Sequence, residues 1–223
     1  MAVTELAWLK CASEAITTES KEATNGALNV QDKWCAGNAP TIPKGRENRS
    51  VGFFQQVEDP SIALLTAHWK SVEQHKTWIE SAENKTVFPA LGDHFQLEKT
   101  IFFHLDDVEL FQAPDADRAF SLLESPVIRV ERLTITADDR QAFNQGWNDV
   151  KGILERFAKP HVVKGGWRIE KEDQSLEEFV FACGWPSVDR HGEFATARDF
   201  DKYESVLLAI AATREVKHYQ RIL

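Results

Sequence analysis

Ten residues of this chain occur twice. Trp69-Lys-Ser71-Val72-Glu73-Gln-His75-Lys-Thr-Trp78 returns as Trp185-Pro-Ser187-Val188-Asp189-Arg-His191-Gly-Glu-Phe194, displaced by 185 − 69 = 116 positions in a chain of 223. A weaker echo lies upstream. Gly52-Phe53 running to Glu58-Asp59 matches Gly166-Trp167 running to Glu172-Asp173, displaced by 166 − 52 = 114. A chain that repeats once over its whole length is two copies of one unit. The division expected is a first unit over residues 1–112, a linker over 113–125 around Pro114-Asp115-Ala116-Asp117, and a second unit over 126–223, each of ordinary domain size.

Periodicity supplies the elements. In the second half, Val127 to Thr136 is rich in β-branched residues and reads as a strand. Phe143, Trp147, Val150, Leu154 and Phe157 follow at steps of four, three, four and three, one apolar stripe of a helix that Pro160 ends. His161 to Glu170 and Phe179 to Trp185 are strands around a polar turn, Ser187 begins a helix, Tyr203 to Ala212 is helical, and Glu215 to Leu223 closes as a strand. The first half reads the same way: strand Leu6 to Ala12, helix between Ser13 and Trp34, strands Val51 to Val57 and Ile62 to Trp69, a helix capped at Ser71 with Gln74 reaching back, and strand Gln96 to Leu105. The order β-α-β-β-α-β is the ferredoxin-like split motif, an α+β unit with helices on one sheet face. Two tandem ferredoxin-like units can cover each other's bare faces. The expected architecture is therefore an intramolecular dimeric α/β barrel with a pocket between the sheets.

Composition narrows the function. The net charge is −9 with no basic run, which speaks against a hold on nucleic acid. No apolar stretch approaches the ~20 residues that span a bilayer, and the first ten residues lack a leader pattern, so no membrane association and a cytoplasmic location are expected. Cys11, Cys35 and Cys183 are too few and too scattered for a disulfide framework or a zinc site, and no metal is expected. There is no GxGxxG, no phosphate loop, no His-Glu-x-x-His and no G-x-S-x-G.

Gly52-Phe53-Phe-Gln-Gln, then a strand ending His68-Trp69-Lys70-Ser71 and a helix carrying Trp78, resembles the antibiotic biosynthesis monooxygenase (ABM) superfamily of dimeric α/β barrels. Trp-Lys-Ser with the following Trp resembles its haem-degrading branch, and the tandem copy looks like a family dimer fused into one chain. The resemblance implies oxidation of phenolic or polyketide substrates without a cofactor, in natural-product metabolism. Relatives cyclise, isomerise, decarboxylate or bind haem. It also implies a site tryptophan at the end of the third strand, matched by Trp69 and Trp185, and an asparagine on the first strand. The asparagine is missing: Glu131 stands there in the second half and Trp8 or Leu9 in the first. The haem branch's histidine after Phe88 is missing too, since Pro89-Ala90-Leu91 follow and the next histidine is His94.

The candidate catalytic residues are His68, His75, His104, Glu131 and His191. Each histidine is a proton carrier near neutral pH, and Glu131 is a carboxylate among apolar strand residues, suited to proton abstraction. Candidate substrate-binding residues follow from strand alternation. Trp69 shares a face with Ala67, Leu65 and Ala63, whereas Trp185 shares one with Cys183, Phe181 and Phe179; Trp78 sits on the next helix. Small side chains in the first half point to a working pocket there. The expected partner is a hydrophobic small-molecule substrate, with a further homodimer left open. The reading is a cofactor-free monooxygenase, with two alternatives: non-oxidative cyclisation, isomerisation or decarboxylation, and a non-catalytic binder of haem or a hydrophobic metabolite.

Overall fold

The computed structural model describes residues 2–112 and 120–223. The expected linker residues Pro114 to Asp117 lie outside the described residues. The chain divides into two compact units, Met1–Glu109 with Tyr219–Leu223, and Leu110–His218.

The first unit runs β1 (Val3–Lys10), α1 (Thr18–Asn38), β2 (Gly52–Gln56), β3 (Ile62–Trp69), α2 (Val72–Glu80), α3 (Ala82–Gly92) and β4 (Ile101–Leu105). Its sheet has the order β4-β1-β3-β2. The second unit runs β5 (Val127–Thr136), α4 (Arg140–Ala158), β6 (Val163–Trp167), β7 (Leu176–Trp185), α5 (Val188–Gly192), α6 (Phe200–Leu208) and β8 (Thr213–Arg221) as far as His218, with the order β8-β5-β7-β6. The sequence of neighbours is the same in both, last-first-third-second, and every pairing within the two sheets with an assigned register is antiparallel. Both units are thus ferredoxin-like, and the fold is α+β.

Local chemistry explains the boundaries. Thr17 and Ser20 form a reciprocal capping box that starts α1. Ser71 accepts from the Gln74 amide at the start of α2, and the Gln74 side chain accepts from the Lys70 amide, one residue before the cap. Ser81 ends α2 and its hydroxyl caps α3. β1 begins three residues earlier than its apolar run suggests. The strand is buried on both faces, so Thr4 and Glu5 are drawn into the sheet although they are polar. β4 is shorter than expected because Leu97–Lys99 form a 3₁₀ turn. α4 carries the expected stripe, and Phe143, Trp147, Val150 and Leu154 are all buried.

The register corrects one of the repeats. Val3 pairs with Trp69 and Val127 with Trp185, so the ten-residue repeat is structurally equivalent in the two units. Phe53 pairs with Leu65 and Gly165 with Phe181, so this strand is displaced by 165 − 53 = 112, not 114. The Gly-aromatic echo therefore matches residues at non-equivalent positions. Bulk has changed strands instead. A Cβ on Gly165 would sit 2.6 Å from the Phe181 Cβ and 2.9 Å from the Phe179 ring. The glycine makes room for the two phenylalanines, against which Trp147 packs with ring centroids 5.5 Å and 4.6 Å away.

Phe181 is fully buried in this aromatic layer. Phe181→Ala is expected to cost ~3–5 kcal/mol of stability, as large-to-small changes in tight cores do. Urea denaturation of the full chain measures it; a loss under about 1 kcal/mol would mean the layer is loosely packed.

Candidate functional site

In the first unit a cavity of about 350 Å³ lies between the sheet and its own helices. The sequence reading expected a pocket between two sheets; this one sits on the helix-covered face of a single sheet. Glu5, Ala7 and Leu9 of β1, Leu65 of β3 and Phe102 of β4 make its floor. Thr24, Leu28 and Gln31 of α1 make one wall, and His75 and Trp78 of α2 with Phe88 of α3 make the others. Ile79, Phe88 and Phe102, between about a third and a half exposed, rim the opening. Exposed apolar side chains gathered at one mouth are a mark of ligand entry.

A polar network stands at one end of this apolar space. The Trp69 indole Nε1 donates to Glu5 Oε2 at 2.7 Å. His75 Nε2 is 3.4 Å from the same oxygen. His75 Nδ1 and His104 Nε2 are 2.9 Å apart. Strand alternation brings these groups together. Glu5 lies opposite Ala67 on one side and His104 on the other, and Val3, two residues back on the same face, lies opposite Trp69. His75, one turn into α2, stacks on the Trp69 indole with centroids 4.4 Å apart and an interplanar angle of 11°. With His75 Nε2–H facing Glu5, Nδ1 is left as the acceptor for His104.

Burial sets the protonation states. Glu5 is 5% exposed, and desolvation raises its pKa from 4.5 to about 7, although the Trp69 hydrogen bond and the charges of His104 and Arg49 pull the other way. Desolvation, then His104, holds the pKa of His75 well below the usual imidazole range. The site thus pairs a carboxyl that titrates near neutrality with an imidazole kept neutral. Thr100 adds a buried hydroxyl to the cavity wall, and its oxygen has no hydrogen-bond partner in the protein.

Of the expected residues, His75, Leu65 and Trp78 line the cavity, and Trp69 and His104 reach it through Glu5 and His75. Ala63 and Ala67 are on the right face but are packed beneath other side chains, and neither is part of the wall. His68 is buried opposite Thr4, on the face away from the cavity. Glu131, Phe181, Trp185 and His191 belong to the second unit, where Glu131 is held between Arg129 and Arg214. A carboxylate so paired is occupied by two guanidinium groups, which weakens its case as a free base. Glu5 was not among the expected residues. With β1 set to begin at Leu6, Glu5 fell before the strand. The available signal was Val3-Thr-Glu5-Leu-Ala7-Trp-Leu9, which places one carboxylate on an apolar alternate face.

The second unit repeats the aromatic part of the network. His191 Nδ1 and His218 Nε2 are 2.8 Å apart, and the Trp185 and His191 centroids are 5.1 Å apart. Counting from the shared tryptophan pairing, Glu5 is replaced by Arg129 and Ala7 by Glu131.

No protein-family model matches the chain, and no curated protein matches it. Solved structures do. A candidate monooxygenase from Fusobacterium nucleatum subsp. nucleatum aligns over 100% of this chain and 93% of its own at 8% identity, with a TM-score of 0.61. An anthrone oxidase-like protein aligns over 100% and 92% at 10% identity, with a TM-score of 0.59. A candidate chlorite dismutase aligns over 100% and 94% at 9% identity, with a TM-score of 0.54. The chain shares its fold with these structures over its whole length. At these identities the likeness concerns the fold alone.

Glu5 makes stability depend on pH. Its folded pKa lies above its unfolded value, so its contribution is fully present below about pH 4.5 and is lost as pH rises through about 7. Glu5→Gln removes the effect. The variant is expected to gain on the wild type, by on the order of 3 kcal/mol between pH 4 and pH 8. Urea midpoints across that range read the difference; a difference that stays flat would mean Glu5 is not desolvated in the folded state.

Proposed function

We propose that this chain is a cofactor-free, monooxygenase-like enzyme acting on an aromatic or polyketide-type molecule, in natural-product metabolism. The observation that carries this reading is Glu5, a carboxyl with a pKa of about 7 at the end of an apolar cavity and hydrogen-bonded to Trp69. A base working near neutral pH is best matched when its pKa lies there. A cavity of about 350 Å³ suits a ligand of a few fused rings.

Dioxygen is the co-reactant, and the substrate supplies the electrons. For a substrate with an acidic methylene between aromatic rings, Glu5 removes one C–H proton and leaves a delocalised anion. The anion gives one electron to dioxygen, and the radical and superoxide combine into a C–O bond. Glu5 returns its proton to the resulting peroxide. Loss of water then leaves a carbonyl, so R₂CH₂ and O₂ become R₂C=O and H₂O. His75 and His104 stand in line behind Glu5, and with His75 Nε2–H toward the carboxyl this line relays protons to Glu5. The name of one structural neighbour, an anthrone oxidase-like protein, supports anthrone as the first compound to try.

The same base serves a second reading, non-oxidative cyclisation, isomerisation or decarboxylation, because Glu5 removes the same proton in either case. The full chain is to be incubated with anthrone in an oxygen electrode. One dioxygen consumed per anthraquinone formed is expected. Glu5→Gln should slow turnover by ~10²–10⁴-fold, the usual loss of a general base. Ala27→Trp, on the half-buried α1 wall, should block binding with little change in melting temperature. Unchanged turnover in Glu5→Gln would remove it as the base. Anthrone converted to another product at the same rate under argon would favour the non-oxidative reading.

A further inference from the structure

In the first unit α1 runs back over β1, and this orders the residues it places on the cavity wall. Ile16, just ahead of α1, shares a buried cluster with Leu9, whereas Trp34 and Cys35 near its end share one with Val3. Thr24, Ala27, Leu28 and Gln31 recur at helical spacing on the face that walls the cavity. Gln31 is the last of them and so stands at the Glu5 end. Arg49 marks the same place. It donates from Nη1 to Gln31 Oε1 at 3.4 Å, and its charge helps to ionise Glu5.

That contact fixes which way the Gln31 amide is turned. A guanidinium donates and never accepts, so it takes the amide oxygen and leaves Nε2 directed elsewhere. Nε2 has no hydrogen-bond partner among the described residues, and it keeps accessible surface on the cavity wall. Glu5 offers a matching atom. Its Oε2 accepts from the Trp69 indole and faces His75, whereas its Oε1 has no hydrogen-bond partner among the described residues and also keeps accessible surface. Thr24 and Asn84 are engaged elsewhere: Thr24 Oγ1 donates to the Ser20 carbonyl, and Asn84 Nδ2 to the Ile79 carbonyl at the rim. The Thr100 oxygen is sealed from the cavity. Leu9, Phe88, Leu91 and Leu97 make the remote end apolar.

An amide N–H and a carboxylate oxygen at one end of an apolar space fit an enolisable aromatic ketone. As the acidic carbon gives its proton to Glu5, the C=O becomes C–O⁻. A donor already aimed at that oxygen then holds the anion more strongly than the ketone. We propose that Gln31 is the substrate-recognising donor of this site, its Nε2–H bonded to the ketone oxygen while the acidic carbon lies against Glu5 Oε1. This rests on the reading of Glu5 as the base. It narrows the substrate class to carbon acids whose acidity comes from a carbonyl, since a hydrocarbon of the same shape gains nothing from Gln31.

Two ligands separate the donor from the shape of the cavity: α-tetralone, and tetralin, which has the same rings without the carbonyl. The full chain is titrated with each under argon, following tryptophan fluorescence. Gln31→Met keeps the length of the side chain and removes the N–H, while Arg49 retains Asp32 and the Cys35 sulfur as partners. It should weaken α-tetralone ~3–10-fold, the loss of one hydrogen bond, and leave tetralin unchanged or tighter. The infrared carbonyl band of α-tetralone bound to the wild type should lie below its position in hexane and move back toward it in Gln31→Met; the wild-type band decides alone if the variant does not fold. Ala27→Trp should abolish binding of both ligands. The proposal is overturned by no saturable binding of α-tetralone, by equal or no loss of the two ligands in Gln31→Met, or by a hexane-like band. It is also overturned by a loss confined to α-tetralone that appears in Trp78→Phe and not in Gln31→Met, which would place the donor on α2. No oxidation enters these readings. A chain that leaves anthrone unoxidised yet shows the Gln31-dependent preference keeps the recognition and loses the reaction, and one that oxidises anthrone with no such preference does the reverse.

Discussion

The hydrogen bond from the Trp69 indole to Glu5 is the constraint around which the first unit's site is built. A carboxyl buried to this depth is penalised in its charged form. One fixed donor offsets part of that penalty, and the pKa comes to rest near 7 rather than higher. The donor is fixed because Trp69 is itself 1% exposed and stacked on His75. The imidazole is in turn held by His104 from the edge strand β4. Each group is oriented by the next, so no single loop positions the base. All four come from regular elements, which hold side chains more closely than loops do.

The two units keep this frame and differ in what they place in it. The Trp–His–His arrangement is common to both. At the strand position facing it, one unit has Glu5 and the other Arg129. That exchange reverses the sign of the charge. In the first unit the charges of His104 and Arg49 help to ionise Glu5, whereas in the second the charge of Arg129 helps to keep His191 neutral. Around the first network the wall is made of Thr24, Ala27 and Leu28 from α1 over Leu65. In the second unit Trp147 from α4 lies on Phe179 and Phe181 instead. Bulk on α4 and β7 fills the space that small side chains on α1 leave open.

The sequence made the fold legible because the ten-residue repeat spans a strand end, a cap and a helix start. Those features carry both register and direction. Trp69, His75 and Trp78 were legible for the same reason, and His104 through its place on the last strand. Glu5 was not, and the cause is physical. A strand buried on both faces shows no alternation, and its polar residues look like flanking loop. Ala63 and Ala67 suggest space because their side chains are small. In the folded unit Ala67 is packed with Leu28, Trp34 and Trp78 and Ala63 with Ile16, Phe53 and Phe95, and the space opens between the two alanines, beside Leu65 and Ala7. Strand alternation fixes the face a residue occupies, but only helix packing decides whether that face is filled.

Glu131 acquires its explanation from the same comparison. A carboxylate on an apolar strand face suggested a base, yet its partner stands two residues earlier on the same face. Arg129 is buried where the first unit has Glu5, and a buried guanidinium without a counter-charge would carry a large desolvation cost. Glu131 replaces Ala7 and supplies that charge, with Arg214 of β8 on its other oxygen. The two replacements belong together: a cation at the first position needs an anion at the second. The first unit needs neither. Ala7 stays small there, the floor of the cavity stays open, and Glu5 faces it as the one carboxylate of the wall.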